Sequence, residues 1–221
     1  MSFKNTIIFG DSYSTFKGYI PSGYAFFYSE DEKSVTDVRN VADTWWHQLI
    51  TETNSNLVLN DSWSGSTIGY TGYNNSDCSK TSSFIHRLHL LKDLGFFKKN
   101  KIDTVFVFGG TNDSWSNAPI GDPKYFGFEN DDFYTVLPAI SYFFKTLKDT
   151  LPDANIICII NTELKVDIAK GLKNACDFYE VKYICLEDID KISGHPSVKG
   201  MTQIKNQILS SLYGEIKDSL K

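Results

Sequence analysis

Five short apolar runs, spread along the chain and separated by helical patterns, constrain this sequence more than any other feature. They are Thr6–Phe9, Leu57–Leu59, Thr104–Phe108, Ile156–Ile160 and Val181–Leu186, rich in Ile, Val and Phe. None alternates strictly between apolar and polar residues. A strand with one wet face alternates, because successive side chains point to opposite sides; a strand covered on both faces does not. Amphipathic stretches lie between the runs. Trp45, Trp46, Leu49 and Ile50 follow a candidate cap at Asp43 or Thr44. Phe84, Leu88, Leu91 and Leu94 recur at helical spacing, as do Val136, Ile140, Phe143, Phe144 and Leu147, with Pro138 confined to a first turn or a kink. Further helices are expected over Lys165–Tyr179 and from about Ser197, where Met201, Ile204, Ile208 and Leu212 share a face. This alternation predicts a three-layer α/β/α sandwich around a five-stranded parallel sheet with right-handed crossovers. With 221 residues and neither an internal repeat nor a linker, one domain over residues 1–221 is expected.

Composition enters mainly through what it excludes. The formal net charge is −5 and no block of Lys or Arg occurs, which argues against nucleic-acid partners and against docking on an anionic membrane. No apolar run approaches the length of a membrane span. The first residues, Met-Ser-Phe-Lys-Asn, lead into the first apolar run without a secretory pattern, so a cytoplasmic location is expected. The 4 cysteines, Cys78, Cys158, Cys176 and Cys185, show no CxxC spacing. Neither a disulfide framework nor a metal site is expected. Cys158 and Cys185 fall in apolar runs, where a thiol acts as a small hydrophobe; Cys78, in a polar stretch, is expected to be a bystander.

Three connections are too long for simple turns: Thr15–Ala42, Ser66–Ser82 and Ser114–Asp132. Long loops in compact domains are functional or disordered more often than not. All three follow the C-terminal end of a strand or a motif there, which is the edge where open α/β sheets bind ligands. They carry many aromatic residues: Phe16, Tyr19, Tyr24, Phe26, Phe27 and Tyr28 in the first, Tyr70 and Tyr73 in the second, Trp115, Tyr125, Phe126 and Phe128 in the third. Such rings either give a long loop a core of its own or meet substrate.

Four segments at strand ends carry groups suited to acyl transfer. They are Phe9-Gly10-Asp11-Ser12, Ser64-Gly65-Ser66, Gly109-Gly110-Thr111-Asn112-Asp113 and Gly194-His195-Pro196. Ester cleavage needs a nucleophile, a base, and donors for the oxyanion that forms on the carbonyl. A serine hydroxyl is a weak nucleophile until a neighbouring base takes its proton, and an imidazole titrates near neutrality. Ser12 and His195 fit these roles. The Gly65 backbone N–H, the Asn112 side-chain amide and the Ser12 N–H form a candidate oxyanion hole. Taken singly, Ser12 could be a helix cap, Gly65 a turn residue and Asn112 an Asx turn. Asp11 and Asp113 are expected to brace loops through backbone N–H groups. Glu163 reaches the same edge, where a helix-start role outweighs substrate contact. His47, His86 and His89 lie on helical patterns without motif context.

In this order on this scaffold, the segments resemble the SGNH hydrolases, a branch of the GDSL esterase/lipase superfamily with a flavodoxin-like fold. Ser12, Gly65, Asn112 and His195 match the four residues for which that branch is named, and the resemblance spans nearly the whole chain. It implies ester hydrolysis by a serine nucleophile through an acyl-enzyme, without a cofactor. The sequence departs from the pattern at one point. The family's last block carries an Asp three residues before the His, and here that position is Ile192. Asp190 is the expected partner of His195, brought in by a longer loop turning at Gly194. The alternative is a backbone carbonyl and a Ser–His dyad.

The aromatic loops point to a small acyl ester, an acetyl group on a sugar or oligosaccharide, as substrate. A lysophospholipase or thioesterase with a long acyl groove is the alternative enzyme. A non-catalytic glycan-binding module would not need Ser12, Gly65, Asn112 and His195 together. A nucleotide binder would need a glycine-rich phosphate loop after the first strand, which is lacking.

Overall fold

The computed structural model describes residues 3–32 and 35–219. Each apolar run forms a strand: β1 Asn5–Gly10, β2 Asn56–Ser62, β3 Thr104–Phe108, β4 Asn155–Ile160 and β5 Lys182–Cys185. They pair in parallel in the order β2-β1-β3-β4-β5. Every residue of β3, the central strand, is buried, as a strand covered on both faces must be. A two-stranded antiparallel ribbon, β6 Lys191–Ile192 and β7 His195–Pro196, stands apart from this sheet. The helices are α1 Trp45–Glu52, α2 Phe84–Asp93, α3 Phe96–Lys99, α4 Thr111–Trp115, α5 Val136–Thr150, α6 Val166–Phe178 and α7 Val198–Ser219.

Residues of opposite parity on β1, β3, β4 and β5 feed two separate cores. Ile7, Phe9, Val105, Val107, Ile156 and Cys158 pack beneath α2, α5 and α6. Ile8, Phe106, Phe108, Ile157 and Ile159 pack against Trp45, Trp46 and Leu49 of α1 and Met201, Ile204 and Ile208 of α7. The fold is thus an α/β/α sandwich. Fully burying one such Ile or Phe contributes about 1.5–3 kcal/mol, so the two faces together hold the sheet flat between its helical layers. The helix starts follow local chemistry. Thr44 caps α1 by accepting from the His47 N–H at 3.4 Å, and Ser83 caps α2 by accepting from the His86 N–H at 3.2 Å. Pro138 is the third residue of α5, where its missing N–H costs no helical bond.

Three details depart from the sequence expectations. Strand β2 runs past Leu59 through Asn60, Asp61 and Ser62, which are all buried. Their polarity hid them from a hydrophobic pattern, yet each finds a partner: Asn60 Nδ2 donates to the Ser14 carbonyl at 2.9 Å, Ser62 Oγ to Asn60 Oδ1 at 2.6 Å, and Asp61 Oδ2 pairs with Arg87. The third long connection opens inside a helix, its first two residues, Ser114 and Trp115, ending α4. Cys185 is exposed rather than part of the core, because β5 is an edge strand; Cys158 is buried as expected.

The chain reverses direction across the sheet between β1 and β3, and the loops after β1, β2, β3 and β5 meet at the carboxyl edge there. In this topology that switch point forms a crevice without further design.

Candidate active site

The first wall of the crevice is the turn after β1. Gly10 ends the strand where a Cβ would collide with the side chains of Ser62 and Ser14, so its contribution is close packing between strand ends. Asp11 then caps a single 3₁₀ turn, Ser12–Ser14, its Oδ1 accepting from the Tyr13 N–H at 3.0 Å. The Thr111 hydroxyl faces its Oδ2 without forming a well-made hydrogen bond. Burial drives the Asp11 carboxyl up to about 7. Ser12, the first residue of the turn, is 3% exposed.

The second and third walls carry hydrogen-bond donors. Gly65 adopts φ +82°, a left-handed conformation that side chains resist, and the space beyond its Cα is open. Among the described residues, neither the Gly65 nor the Ser12 backbone N–H donates to a protein acceptor. Asn112 sits in the first turn of α4, and its amide is held from both ends. Nδ2 donates to the Ser66 carbonyl at 3.0 Å, and Oδ1 accepts from the Tyr73 hydroxyl at 2.8 Å. The amide has two hydrogens, so one remains to face the crevice. Asp113 braces the neighbouring loop, both carboxylate oxygens accepting from the Ile68 N–H at 3.1 Å; burial raises it to about 6.

Beneath these loops lies Arg87 of α2, fully buried. It salt-bridges Asp61 at 2.9 Å and donates to the carbonyls of Gly10 at 3.2 Å and Ser82 at 2.9 Å and to Ser66 Oγ at 3.3 Å. One side chain thereby ties the ends of β1 and β2 to the loop carrying Gly65. Burial raises the Asp61 carboxyl, and the guanidinium partly offsets that rise.

The fourth wall is the ribbon. Ser193 and Gly194 have φ of +51° and +77°, the two positive values of a tight hairpin turn. Register pairs Ile192 with His195 and Lys191 with Pro196. His195 Nε2 lies 2.9 Å from Ser12 Oγ, and Nδ1 lies 3.2 Å from the Ser193 carbonyl. Asp190, expected beside the imidazole, is elsewhere. The same antiparallel register sets it opposite Ser197, whose N–H donates to the Asp190 carbonyl at 3.1 Å and whose hydroxyl donates to its carboxylate. The hairpin fixes this outcome: only position 192 faces His195 across the ladder, and it is an isoleucine.

Aromatic rings surround the imidazole instead. Phe27 stacks flat on it, centroids 3.5 Å apart and planes 6° apart, while Tyr13 and Trp115 approach at 5.3 and 5.7 Å. The Tyr13 hydroxyl donates to the Gly194 carbonyl at 2.5 Å and the Tyr28 hydroxyl to the Pro196 carbonyl at 2.9 Å, pinning the hairpin. Lys191 Nζ reaches Thr162 Oγ1 at 2.7 Å and Glu163 Oε2 at 2.8 Å, which accounts for Glu163. His195 is held below its ordinary value. Burial is the largest cause; the Ser193 carbonyl opposes it and the Lys191 ammonium adds to it.

The fold therefore brings Ser12, Gly65, Asn112 and His195 together and leaves Asp190 out. A hydroxyl on a neutral imidazole, beside unengaged N–H donors, is equipped for nucleophilic attack on a carbonyl. Arg87 and Tyr13 were missed from sequence, and Phe27, Tyr73 and Trp115 were noted only as loop aromatics. Among the described residues, no group of three or more His, Cys, Asp or Glu side chains is placed to hold a metal, and no helix is long and apolar enough to cross a membrane.

A family profile described as GDSL-like lipase/acylhydrolase matches residues 4–212. Among solved structures, one described as a GDSL-like lipase from Bacteroides ovatus ATCC 8483 is 41% identical with a TM-score of 0.88, covering 97% of this chain and 100% of its own. Another so described, from Bacteroides uniformis ATCC 8492, is 40% identical with a TM-score of 0.88, covering 96% of each chain. An acetyl xylan esterase from Butyrivibrio proteoclasticus shares the fold at 17% identity and a TM-score of 0.61, covering 98% of this chain and 65% of its own. No curated protein sequence matches the chain.

Proposed function

The chain belongs to the GDSL-like lipase/acylhydrolase family, and within it we propose a serine esterase that removes a small acyl group, an acetyl on a carbohydrate, through an acyl-enzyme. The observation that carries this is the 2.9 Å contact between His195 Nε2 and Ser12 Oγ. In the proposed mechanism Nδ1 holds its hydrogen on the Ser193 carbonyl, which leaves Nε2 as the acceptor. Ser12 Oγ attacks the ester carbonyl as its proton passes to Nε2. The tetrahedral oxyanion takes hydrogen bonds from the Ser12 and Gly65 N–H groups and from the second Asn112 amide hydrogen. Collapse breaks the ester C–O bond, and the imidazolium returns its proton to the departing alcohol. A water deprotonated by the same nitrogen then attacks the acyl-serine, and Ser12 leaves with that proton as the acid is released.

A short acyl group is favoured by the recess around the nucleophile. Ser12 and Asn112 are only 3% and 2% exposed, with Trp115 edge-on to His195 and Tyr73 seated on Asn112. A two-carbon acyl chain reaches Ser12 with least displacement of these rings. Trp115 and Tyr73 are 41% and 40% exposed and offer flat faces to a sugar alcohol. The acetyl xylan esterase that shares the fold is consistent with such a substrate. No resident cofactor or metal is part of the proposal, and the location proposed is the cytoplasm.

The test is a hydrolysis panel of p-nitrophenyl esters of rising chain length together with acetylated sugars, run with wild type and Ser12→Ala. Acetate esters should be turned over fastest and Ser12→Ala should be inactive yet folded. Near-wild-type turnover by cleanly purified Ser12→Ala removes Ser12 as nucleophile, and a preference for long chains removes the acetyl assignment.

A further inference from the structure

Among the described residues no carboxylate stands behind the imidazole, and one carbonyl at 3.2 Å is weak restraint for a ring that must rotate little during proton transfer. A single hydrogen bond at Nδ1 fixes the direction of one vector and leaves the ring free to tilt about it. What does restrain the plane is the face-to-face contact with Phe27, at 3.5 Å and 6°. Tyr13 and Trp115 approach at 55° and 68°, so Phe27 alone lies parallel to the imidazole.

Phe27 is itself tied to the nucleophile. Its backbone N–H donates to Thr15 Oγ1 at 2.9 Å, and the same hydroxyl donates to the Ser12 carbonyl at 3.0 Å. Thr15 is fully buried and closes the 3₁₀ turn that Ser12 opens. Two residues on, the Lys17 N–H donates to the Tyr28 carbonyl at 2.9 Å, and Tyr28 packs edge-on against Phe27 at 5.0 Å. Contacts thus run in a closed loop from Ser12 through Thr15 and Phe27 to His195 and back to Ser12. A shift in the first loop would move the base relative to the nucleophile.

We propose that Phe27 is the positioning residue of this dyad: its ring sets the plane of His195, in the absence of a facing carboxylate, and keeps Nε2 aimed at Ser12 Oγ. This rests on the assignment of Ser12 and His195 as nucleophile and base. Phe27 has no group that can give or take a proton, so it acts through His195. It also covers one face of the imidazole, and removing it admits water to the ring. The titratable groups around the ring are Lys191 from β6, Tyr13 from the turn after β1 and Tyr28 from the first loop; burial pushes both phenols above their ordinary range, so they stay neutral through the working pH.

The experiment measures kcat and KM for p-nitrophenyl acetate from pH 5 to 9 with wild type, Phe27→Leu, Phe27→Ala, Phe27→Tyr and Ser12→Ala, with circular dichroism on each. Leu keeps apolar bulk without a flat face, and Tyr keeps the flat face. Expected is a loss of about 10- to 100-fold in kcat for Leu and Ala, the scale on which misplacing a reacting group acts, with KM within about threefold. The acid limb of their pH profiles should move up toward the ordinary imidazole value as the ring is hydrated. Phe27→Tyr should recover most of kcat. If Leu and Ala stay within about threefold of wild type while Ser12→Ala is inactive, the dyad stands and the role of Phe27 is overturned. A kcat loss with an unmoved acid limb and no recovery in Tyr overturns it too, since that marks a disturbed loop. An active Ser12→Ala overturns the dyad itself and this role with it.

Discussion

Replacing Asp190 by Asn separates a triad from a dyad. Where a carboxylate orients the catalytic imidazole, its conversion to an amide costs about 10⁴ in kcat through the wrong tautomer, equivalent to about 5.4 kcal/mol of transition-state stabilisation. Here the Asp190 carboxylate accepts from the Ser197 hydroxyl and lies 3.9 Å from Lys199 Nζ, with its side chain 43% exposed. An amide oxygen still accepts from Ser197. What is lost is the charge on that hydrogen bond and a loose surface ion pair, together about 1 kcal/mol or less. For a chain of this size that is a fall of about 2–4 °C in Tm at most. The expected outcome is kcat on p-nitrophenyl acetate within about twofold of wild type, alongside that small Tm change. A hundredfold loss of kcat in a variant with the same melting behaviour would refute the dyad and put the carboxylate back on His195.

Other consequences follow from the same geometry. Asn112→Ala should lower kcat by roughly a hundred- to a thousandfold with KM nearly unchanged, as for other oxyanion donors; an effect confined to KM would move Asn112 to ground-state binding. Because His195 must be neutral to accept a proton and is held below its ordinary value, kcat/KM should rise with pH and level off, with its acid midpoint below about 6.5; a midpoint at or above that value contradicts the buried, carboxylate-free environment. Ile192→Asp places a carboxylate across the ribbon from His195, which should stabilise the imidazolium and move that midpoint upward; an unmoved midpoint would mean that register does not decide the partner of His195.

How much of this was legible in the sequence depended on whether a residue's role was local. Strands β1, β3 and β4 announced themselves because both of their faces are buried, and Ser12, Gly65, Asn112 and His195 because each closes a strand with a short motif. The polar end of β2 was not legible, since Asn60 and Asp61 find their partners far along the chain, at Ser14 and Arg87. Arg87 did leave a trace: it follows Phe84 by three and precedes Leu91 by four, so it shares their buried helical face. A charge in the middle of an apolar stripe calls for a buried acid, and Asp61 at the end of β2 is that acid. Asp190 was misplaced for a related reason. Spacing along the chain left Asp190 within reach, but the hairpin through Ser193 and Gly194 converted spacing into register, and register assigned Asp190 to Ser197. The stacking of Phe27 on His195 joins residues 27 and 195, a separation that no local pattern reports.

A histidine base without a carboxylate faces a specific cost. In the proposed mechanism His195 becomes an imidazolium in a partly buried site as it takes the Ser12 proton, and each unit by which its pKa is lowered makes that charged state about 1.36 kcal/mol less favourable. The surroundings limit this cost from several sides. The Ser193 carbonyl places a negative dipole end on Nδ1 where the positive charge spreads, and Glu163 partly neutralises Lys191, the nearby like charge, at 2.8 Å. Phe27, Tyr13 and Trp115 line the imidazole on three sides. The lowered pKa also has a benefit: below neutrality a larger fraction of molecules carries an unprotonated imidazole than at an ordinary histidine. By Brønsted behaviour a weaker base has a stronger conjugate acid, which gives its proton to the leaving alcohol more readily than an ordinary imidazolium would, at some loss in accepting one from serine. A site of this kind is therefore suited to esters whose alcohol is a poor leaving group, such as a sugar hydroxyl.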